Sequence, residues 1–118
     1  MFEHPFGALS WQNPMVCDLQ EKSKAFMCTF DMCMFGMTTE DNKERFHRKP
    51  THLLTNMPSV YARFNGARCM GNHCHTSIQG CAPHDRKRSQ WAARYPREVC
   101  LVLAACIEEY CMKKHHLA

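Results

Sequence analysis

The segment from Cys69 to His84 is dense in side chains that bind metals, with six cysteines and histidines in sixteen residues. Thiolate and imidazole are the ligands that Zn²⁺ prefers, and four of them in a tetrahedron can hold a loop that has no other regular structure. Cys69, His73 and His75 could supply three ligands from one tight turn, because Gly71 lets the chain bend there. The sequence therefore predicts a zinc site in this loop.

The fourth ligand stays open at the level of sequence, because the spacing fits neither a standard zinc finger nor a retroviral knuckle. A simpler interpretation is that His73 and His75 bond backbone groups in a polar loop, while Cys33 and Cys100 are small buried residues. The ligand set that we predict takes its fourth member from Cys33 or Cys81. The wider group of candidates is Cys33, Cys74, Cys81, His84 and Cys100.

Cysteine usage indicates a reducing compartment. Nine cysteines in 118 residues would suit a disulfide framework in a secreted protein, but the first residues lack the basic and apolar regions of a signal peptide. No apolar run approaches the roughly 20 residues that span a bilayer, so we expect a soluble chain in the cytoplasm or nucleus, with no membrane partner. Four further cysteines lie on expected helix or strand faces and are interpreted as core residues: Cys17, Cys28, Cys106 and Cys111.

The positive charge is modest and partly concentrated. The net charge is +4, and the residues 66–88 form a Cys/His-rich basic loop that ends in Arg86, Lys87 and Arg88. Such a triplet could contact the phosphates of a nucleic acid. The sequence has no Gly-rich phosphate loop and no paired carboxylates in a metal-like arrangement. A Cys/His hydrolase is less well supported, because no base and orienting group can be assigned to a nucleophile.

The expected architecture is one α/β domain over residues 1–118, with short mixed elements. The last helix should begin at Pro96 and be amphipathic, with an apolar stripe that packs on the sheet: Val99, Val102, Leu103, Cys106, Ile107 and Tyr110. The other predicted elements are a helix over 14–24 capped by Asn13, a strand over 25–31, a charged surface connection over 38–48, a strand over 51–55 and a helix over 58–64.

Several short motifs occur in a fixed order between Phe2 and about Ile107. They are Phe2-Glu3-His4-Pro5 with Ser10-Trp11, Asp31-x-Cys33-Met34-Phe35-Gly36, Lys49-Pro50-Thr51 with Thr55-Asn56, Cys69-x-Gly71-x-His73-x-His75 with Gly80, and Ala92-Ala93-x-Tyr95-Pro96 with Cys100. In this order they resemble a module of retroelement polyproteins, especially copia-type elements of algae and protists. They are also similar to the C-terminal part of cytosine methyltransferase-like proteins of phages and mobile elements.

The resemblance implies an incomplete Rossmann-like sheet layer and a chain that is the C-terminal fragment of a larger methyltransferase-like module. In cytosine methyltransferases the glutamate that Glu3 matches contacts the target base, an upstream cysteine attacks the ring and a Gly-rich loop holds S-adenosylmethionine. Nothing in this chain matches that nucleophile or that loop. An unpaired edge of such a sheet predicts self-association.

Two functions follow as expectations. The first is a non-catalytic remnant of a mobile-element methyltransferase-like module with a zinc-stabilised loop. The second is a free-standing small zinc-binding protein whose basic loop binds nucleic acid or a protein partner.

Overall fold

Helices and small sheets alternate along the chain. A computed structural model describes residues 1–5, 7–82 and 86–116. Two short 3₁₀ helices, Leu9–Gln12 and Met32–Phe35, accompany the regular elements. In chain order these are β1 (Phe2–Pro5), α1 (Pro14–Ser23), β2 (Phe26–Asp31), β3 (Arg45–Phe46), β4 (Pro50–Thr55), α2 (Pro58–Phe64), β5 (Cys74–His75), β6 (Cys81–Ala82), β7 (Arg86–Lys87), α3 (Arg88–Ala92) and α4 (Arg97–His116).

The main sheet has the order β1-β4-β2, and both of its strand pairs are antiparallel. The predicted mixture of helices and strands is therefore confirmed, as are strands close to 25–31 and 51–55. A doubly wound layer is built from parallel strands joined by crossover helices. The antiparallel pairing means that the Rossmann-like layer is not confirmed.

The core lies on one face of this sheet, beneath α2. Cys28 and Leu53 are opposite each other on β2 and β4, and both side chains are buried. Phe30 packs against Phe64 of α2 and against Phe35, with ring centroids 4.9 and 5.5 Å apart. Because strand residues alternate between faces, the apolar alternation of β2 explains why Cys28 and Phe30 enter the core, whereas Phe26, at the start of the strand, is exposed.

Helices α1 and α2 begin as the sequence predicts. Pro14 and Pro58 occupy first-turn positions, where the missing N–H is not needed, and the Asn13 side chain accepts a hydrogen bond from Met15 N at 2.9 Å. Lys24 directly follows the last residue of α1 and adopts the left-handed conformation that is common at helix ends.

Helix α4 begins after Pro96 and buries a narrower stripe than predicted. Val99 and Cys106 are buried, but Ile107 and Tyr110 are 44% and 47% exposed. The helix packs on α2 and on the Met32–Phe35 turn, and Val99 and Cys106 join Cys28 and Leu53 of the main sheet in one core cluster, so part of the predicted stripe packs as expected. Ile107 and Tyr110, which follow Cys106 along the helix, lie outside the core. Within the described part of the chain, none of the helices combines the length and the apolar character that crossing a lipid bilayer requires.

The two edges of the main sheet differ. The segment after α2 runs along β2: Gly66 N donates to Thr29 O at 3.1 Å, and Asp31 N donates to Ala67 O at 2.9 Å. This segment protects the β2 edge from pairing with another chain, so the prediction of an unpaired edge does not apply there. No strand among the described residues pairs with the outer side of β1.

The connection between β2 and β4 is only partly the surface loop that its charge predicted, because residues 41–45 and Arg48 are exposed but the rest of the segment 38–48 is not. Thr39 and His47 are buried within it, and β3 pairs in parallel with β5. The indole Nε1 of Trp91 donates to Thr38 O at 2.7 Å, which ties α3 to this connection. On the face of the main sheet that points away from the core, the ring of Trp11 packs edge-on against His52, with ring centroids 5.6 Å apart. The pairing of β3 with β5 and the bond from Trp91 are long-range contacts, which a charge pattern cannot reveal.

Candidate metal centre

Four side chains converge at the end of β2: Cys33, Cys69, His73 and His75. One ligand atom from each lies within 4.8 Å of the atoms of all the others. Two segments that are remote in sequence bring them together, since Cys33 lies more than thirty residues before the other three. The arrangement is a group that could hold a metal ion.

The first segment is the 3₁₀ turn after β2, which places Cys33. Its backbone N donates to Arg48 O at 3.3 Å, and the turn closes when Gly36 N donates to Cys33 O at 3.3 Å. Gly36 has a φ of 82°, which favours glycine over any residue with a Cβ. The Cys33 side chain is buried as a result.

The second segment is the loop 69–75, which wraps around the Cys69 sulfur. Cys69 Sγ lies 3.4 Å from Nε2 of His73 and 3.4 Å from Nε2 of His75. Gly71, with a φ of 78°, turns the loop so that its own N–H donates to Cys69 Sγ at 3.3 Å. The bend that the sequence assigned to Gly71 is confirmed.

Asp31 anchors both segments. Its carboxylate is fully buried, and Oδ2 accepts from Cys69 N at 2.8 Å. The same oxygen lies 3.2 Å from Nε of Arg48 and 3.2 Å from Nε of Arg68. Among the described residues, no group bonds to the other oxygen, Oδ1. A buried carboxylate needs such partners, because an unpaired charge away from water is costly.

The pair β3–β5 fixes the two histidines. The His73 ring stacks on Phe46 with centroids 4.2 Å apart. Thr76, next to His75, donates its N–H to Phe46 O at 2.8 Å, and its carbonyl lies 2.8 Å from Nδ1 of His47. The two-residue strands thus hold the imidazoles in place by several contacts outside the ligand group.

The surroundings shift the pKa values of two residues of the group, Cys33 and His75. Burial raises the pKa of the Cys33 thiol to about 12, and the adjacent Cys69 thiol adds to this effect. Burial also lowers the pKa of His75, and the neighbouring His73 and Arg48 lower it further. His75 is therefore neutral at neutral pH, which is the form that binds metals, whereas Cys33 keeps its proton until a cation replaces it.

The other candidate ligands lie outside this group. Cys74 and Cys81 are exposed on β5 and β6, and Cys100 is exposed on α4. His84 lies outside the described residues. Of the four cysteines interpreted as core residues, Cys28 and Cys106 are buried, while the interpretation of Cys17 and Cys111 is wrong because both are exposed.

The basic triplet is partly neutralised by carboxylates of the β2–β4 connection. Arg86 forms an ion pair with Glu40, and Arg88 Nη1 lies 3.0 Å from Asp41 Oδ1. The hydrogen bond from Arg88 lowers the pKa of Asp41. Lys87 is exposed on β7, between the two arginines. Any phosphate that binds here competes with two carboxylates for the arginines.

Glu3, which only the resemblance singled out, lies on the core-facing side of β1, opposite Leu53. Burial, together with the charge of Glu3 and the hydrogen bond to it, raises the pKa of the Tyr95 hydroxyl. Glu3 thus has a structural partner, and it is not part of the Cys/His group.

Sequence reasoning missed Asp31 and His47, the buried polar residues that position the ligands. An acidic residue at the end of an apolar strand, two positions before a cysteine, was the signal available for Asp31. Nothing local marks His47, because its partner at Thr76 is 29 positions away. Comparisons with known proteins give no further guide: no family model, no curated protein and no solved structure matches the chain.

Proposed function

We propose that the chain is a small domain with a structural zinc ion held by Cys33, Cys69, His73 and His75, and that the local fold around this site depends on the ion. With Zn–S and Zn–N bonds of about 2.3 and about 2.0 Å in a tetrahedron, ligand sulfur and nitrogen atoms lie about 3.5 Å apart. Cys69 Sγ lies 3.4 Å from Nε2 of each of the two imidazoles. This match is the observation that carries the proposal.

A closed site explains why we assign a structural role. Four protein ligands fill the coordination sphere of Zn²⁺, whereas catalytic zinc keeps one position for water or substrate. Two cysteines and two histidines suit Zn²⁺ better than Mg²⁺ or Ca²⁺, which prefer oxygen. The ion would join the turn after β2 to the loop 69–75.

Elemental analysis of the purified chain tests the proposal. We expect about one zinc per chain, and none in the variant with His73 and His75 both changed to Ala, which should also lose part of its folded signal in circular dichroism. The control is Cys81→Ser, which changes an exposed cysteine of the basic loop, residues 66–88, outside the proposed ligand set. This variant should retain the zinc. A folded wild-type chain without metal contradicts the proposal.

A second proposal is that the basic loop binds nucleic acid through Arg86, Lys87 and Arg88. Lys87 supports it as an exposed cation, and the two arginines could exchange their carboxylate partners for phosphates. Binding to a single-stranded and a duplex oligonucleotide should weaken as salt rises, and changing all three residues to Ala should remove it.

The matched variant carries Glu40→Gln and Asp41→Asn. It frees both arginines without changing the triplet, so we expect its affinity for nucleic acid to rise severalfold. Binding that is equal in the wild type and the triple Ala variant contradicts this second proposal.

From the resemblance alone, we also propose that the chain is a non-catalytic part of a mobile-element module related to cytosine methyltransferases. Flanking integrase or reverse-transcriptase sequence in the genome would support that origin. Methyl transfer from labelled S-adenosylmethionine by the purified chain would contradict the non-catalytic assignment.

A further inference from the structure

An apolar pocket lies between the start of β4 and helix α3, outside the Cys/His group. It has a volume of about 500 Å³, which is in the range of small-molecule sites. We call it the Lys49 pocket and define it by Lys49, Pro50, Ile78, Ser89, Ala92 and Ala93. Apart from Lys49 and Ser89, these residues present apolar side chains.

Lys49 brings a charge into this apolar wall. Its ammonium donates to Ala92 O at 2.7 Å, which uses one of its three N–H groups. Among the described residues, none places a carboxylate oxygen within ion-pair distance of Lys49. The hydrogen bond of Glu3 is to Tyr95. Glu3 therefore affects the pKa of Lys49 only through its charge, which acts at longer range. The ammonium thus has donors left for an anion.

The electrostatics of the pocket favour such an anion. Burial lowers the pKa of the Lys49 ammonium, which shows that its charge is poorly solvated. A ligand carboxylate would offset this desolvation, whereas a second cation would add to it.

The backbone at Lys49 is held in a strained conformation. Its φ is 41°, in the left-handed region that residues with a Cβ rarely adopt. Unlike Lys24, which ends a helix, Lys49 lies directly before a strand. Its carbonyl is held by Met32 N at 3.3 Å and by Thr51 Oγ1 at 3.0 Å. Strain that the surroundings maintain in this way is common where a side chain must be placed for binding.

We propose that the Lys49 pocket binds a small molecule with an apolar chain and a carboxylate, and that the carboxylate pairs with the Lys49 ammonium. The apolar chain lies against Pro50, Ile78 and Ala93. A lysine that served only to join α3 to the sheet would need no such pocket beside it.

Calorimetry with three eight-carbon probes tests the proposal on the full chain with zinc supplied. We expect octanoate to bind at least tenfold more tightly than octylamine, with octanol between them. The variant Lys49→Met, which keeps the apolar stem, should lose at least tenfold in octanoate affinity and keep its octanol affinity. Lys43→Met, at an exposed lysine outside the pocket, is the charge-matched control and should bind octanoate as the wild type does.

A second variant keeps the test decisive if Lys49→Met does not fold. Ala93→Phe fills the pocket from an exposed position and leaves Lys49 in place, so it should block octanoate and octanol alike. Octanoate binding that is no tighter than octylamine binding in the wild type overturns the proposal. Unchanged octanoate binding in folded Lys49→Met or folded Ala93→Phe overturns it as well.

Discussion

At the scale of single residues, Asp31 supports the meeting of the four candidate ligands. Its oxygen Oδ2 is the point at which Arg48, Arg68 and the backbone of Cys69 converge. Groups that orient metal ligands in this way contribute to metal affinity although they never touch the ion. Asp31 therefore links the stability of the fold to the affinity of the site.

Asp31→Asn keeps an oxygen for Cys69 N but leaves both arginines without their counter-charge. We expect the free energy of unfolding to fall by about 3 kcal/mol and the zinc affinity to fall by about 10-fold to 100-fold. Urea titration and competition with a coloured chelator measure the two effects. The control is Asp18→Asn, at an exposed ion pair within α1, which should change neither.

Proton release on zinc binding follows from the pKa values of the ligands. Because the pKa of Cys33 is raised to about 12, its thiol is protonated at pH 7.5 and must lose that proton to the ion. His75, whose pKa is lowered, is already neutral there and releases none. Zinc affinity should therefore rise with pH, and calorimetry in buffers of different ionisation enthalpy should show the release of at least one proton. A binding enthalpy that is the same in every buffer contradicts this assignment.

At the scale of elements, helix α2 joins the main sheet to α4. Phe64 is the last residue of α2, and its ring centroid lies 4.9 Å from those of both Phe30 and Phe35. Phe35 belongs to the same turn as Cys33, so the packing of α2 supports the backbone that places this ligand. The core and the candidate site share this one turn.

Phe64→Ala should lower the free energy of unfolding by about 3 to 5 kcal/mol, because it removes a fully buried ring and leaves a cavity. Thermal and chemical unfolding of the zinc-loaded protein measure the loss. Arg63→Ala, at the adjacent exposed position of α2, is the control and should stay within about 0.5 kcal/mol. Equal effects of the two substitutions would contradict the placement of Phe64 in the core.

Elements with a local signal could be predicted from the sequence. Pro58 marks the start of α2, and the alternation of Phe26, Cys28 and Phe30 marks β2. The strands β3 and β5 have two residues each, too few to show any period, and they pair across 29 positions. The three ligands of the loop were predictable because Gly71 allows a local turn. The choice of Cys33 as their partner was not, because it depends on the contacts of Asp31 across 38 positions.

At the scale of the whole molecule, the fold has two parts that are stabilised by different interactions. The main sheet, α2 and α4 share the apolar core, whereas the segments 37–48 and 69–76, which we call the ligand loops, bury few apolar side chains. The ligand loops depend on short strand pairs, hydrogen bonds and the proposed ion. Regions with few buried apolar contacts open at lower free energy than the core.

Removal of zinc should therefore open the ligand loops and leave the main sheet folded. In hydrogen exchange after addition of a chelator, we expect the amides of His47 and Thr76 to exchange at least tenfold faster. The amides of Cys28 and Leu53 in the main sheet should change by less than about twofold. Exchange that rises equally in both parts, or in neither, contradicts this division.

The positions of the two tryptophans give the molecule two separate fluorescent reporters. Trp91 is bonded to Thr38 in the ligand loops, and Trp11 lies against His52 of the main sheet. In a Trp11→Phe variant the emission should shift when zinc is withdrawn, and in a Trp91→Phe variant it should shift only when the sheet unfolds. The colour of emitted light can then be used to follow, in real time, which half of the molecule a bound metal holds together.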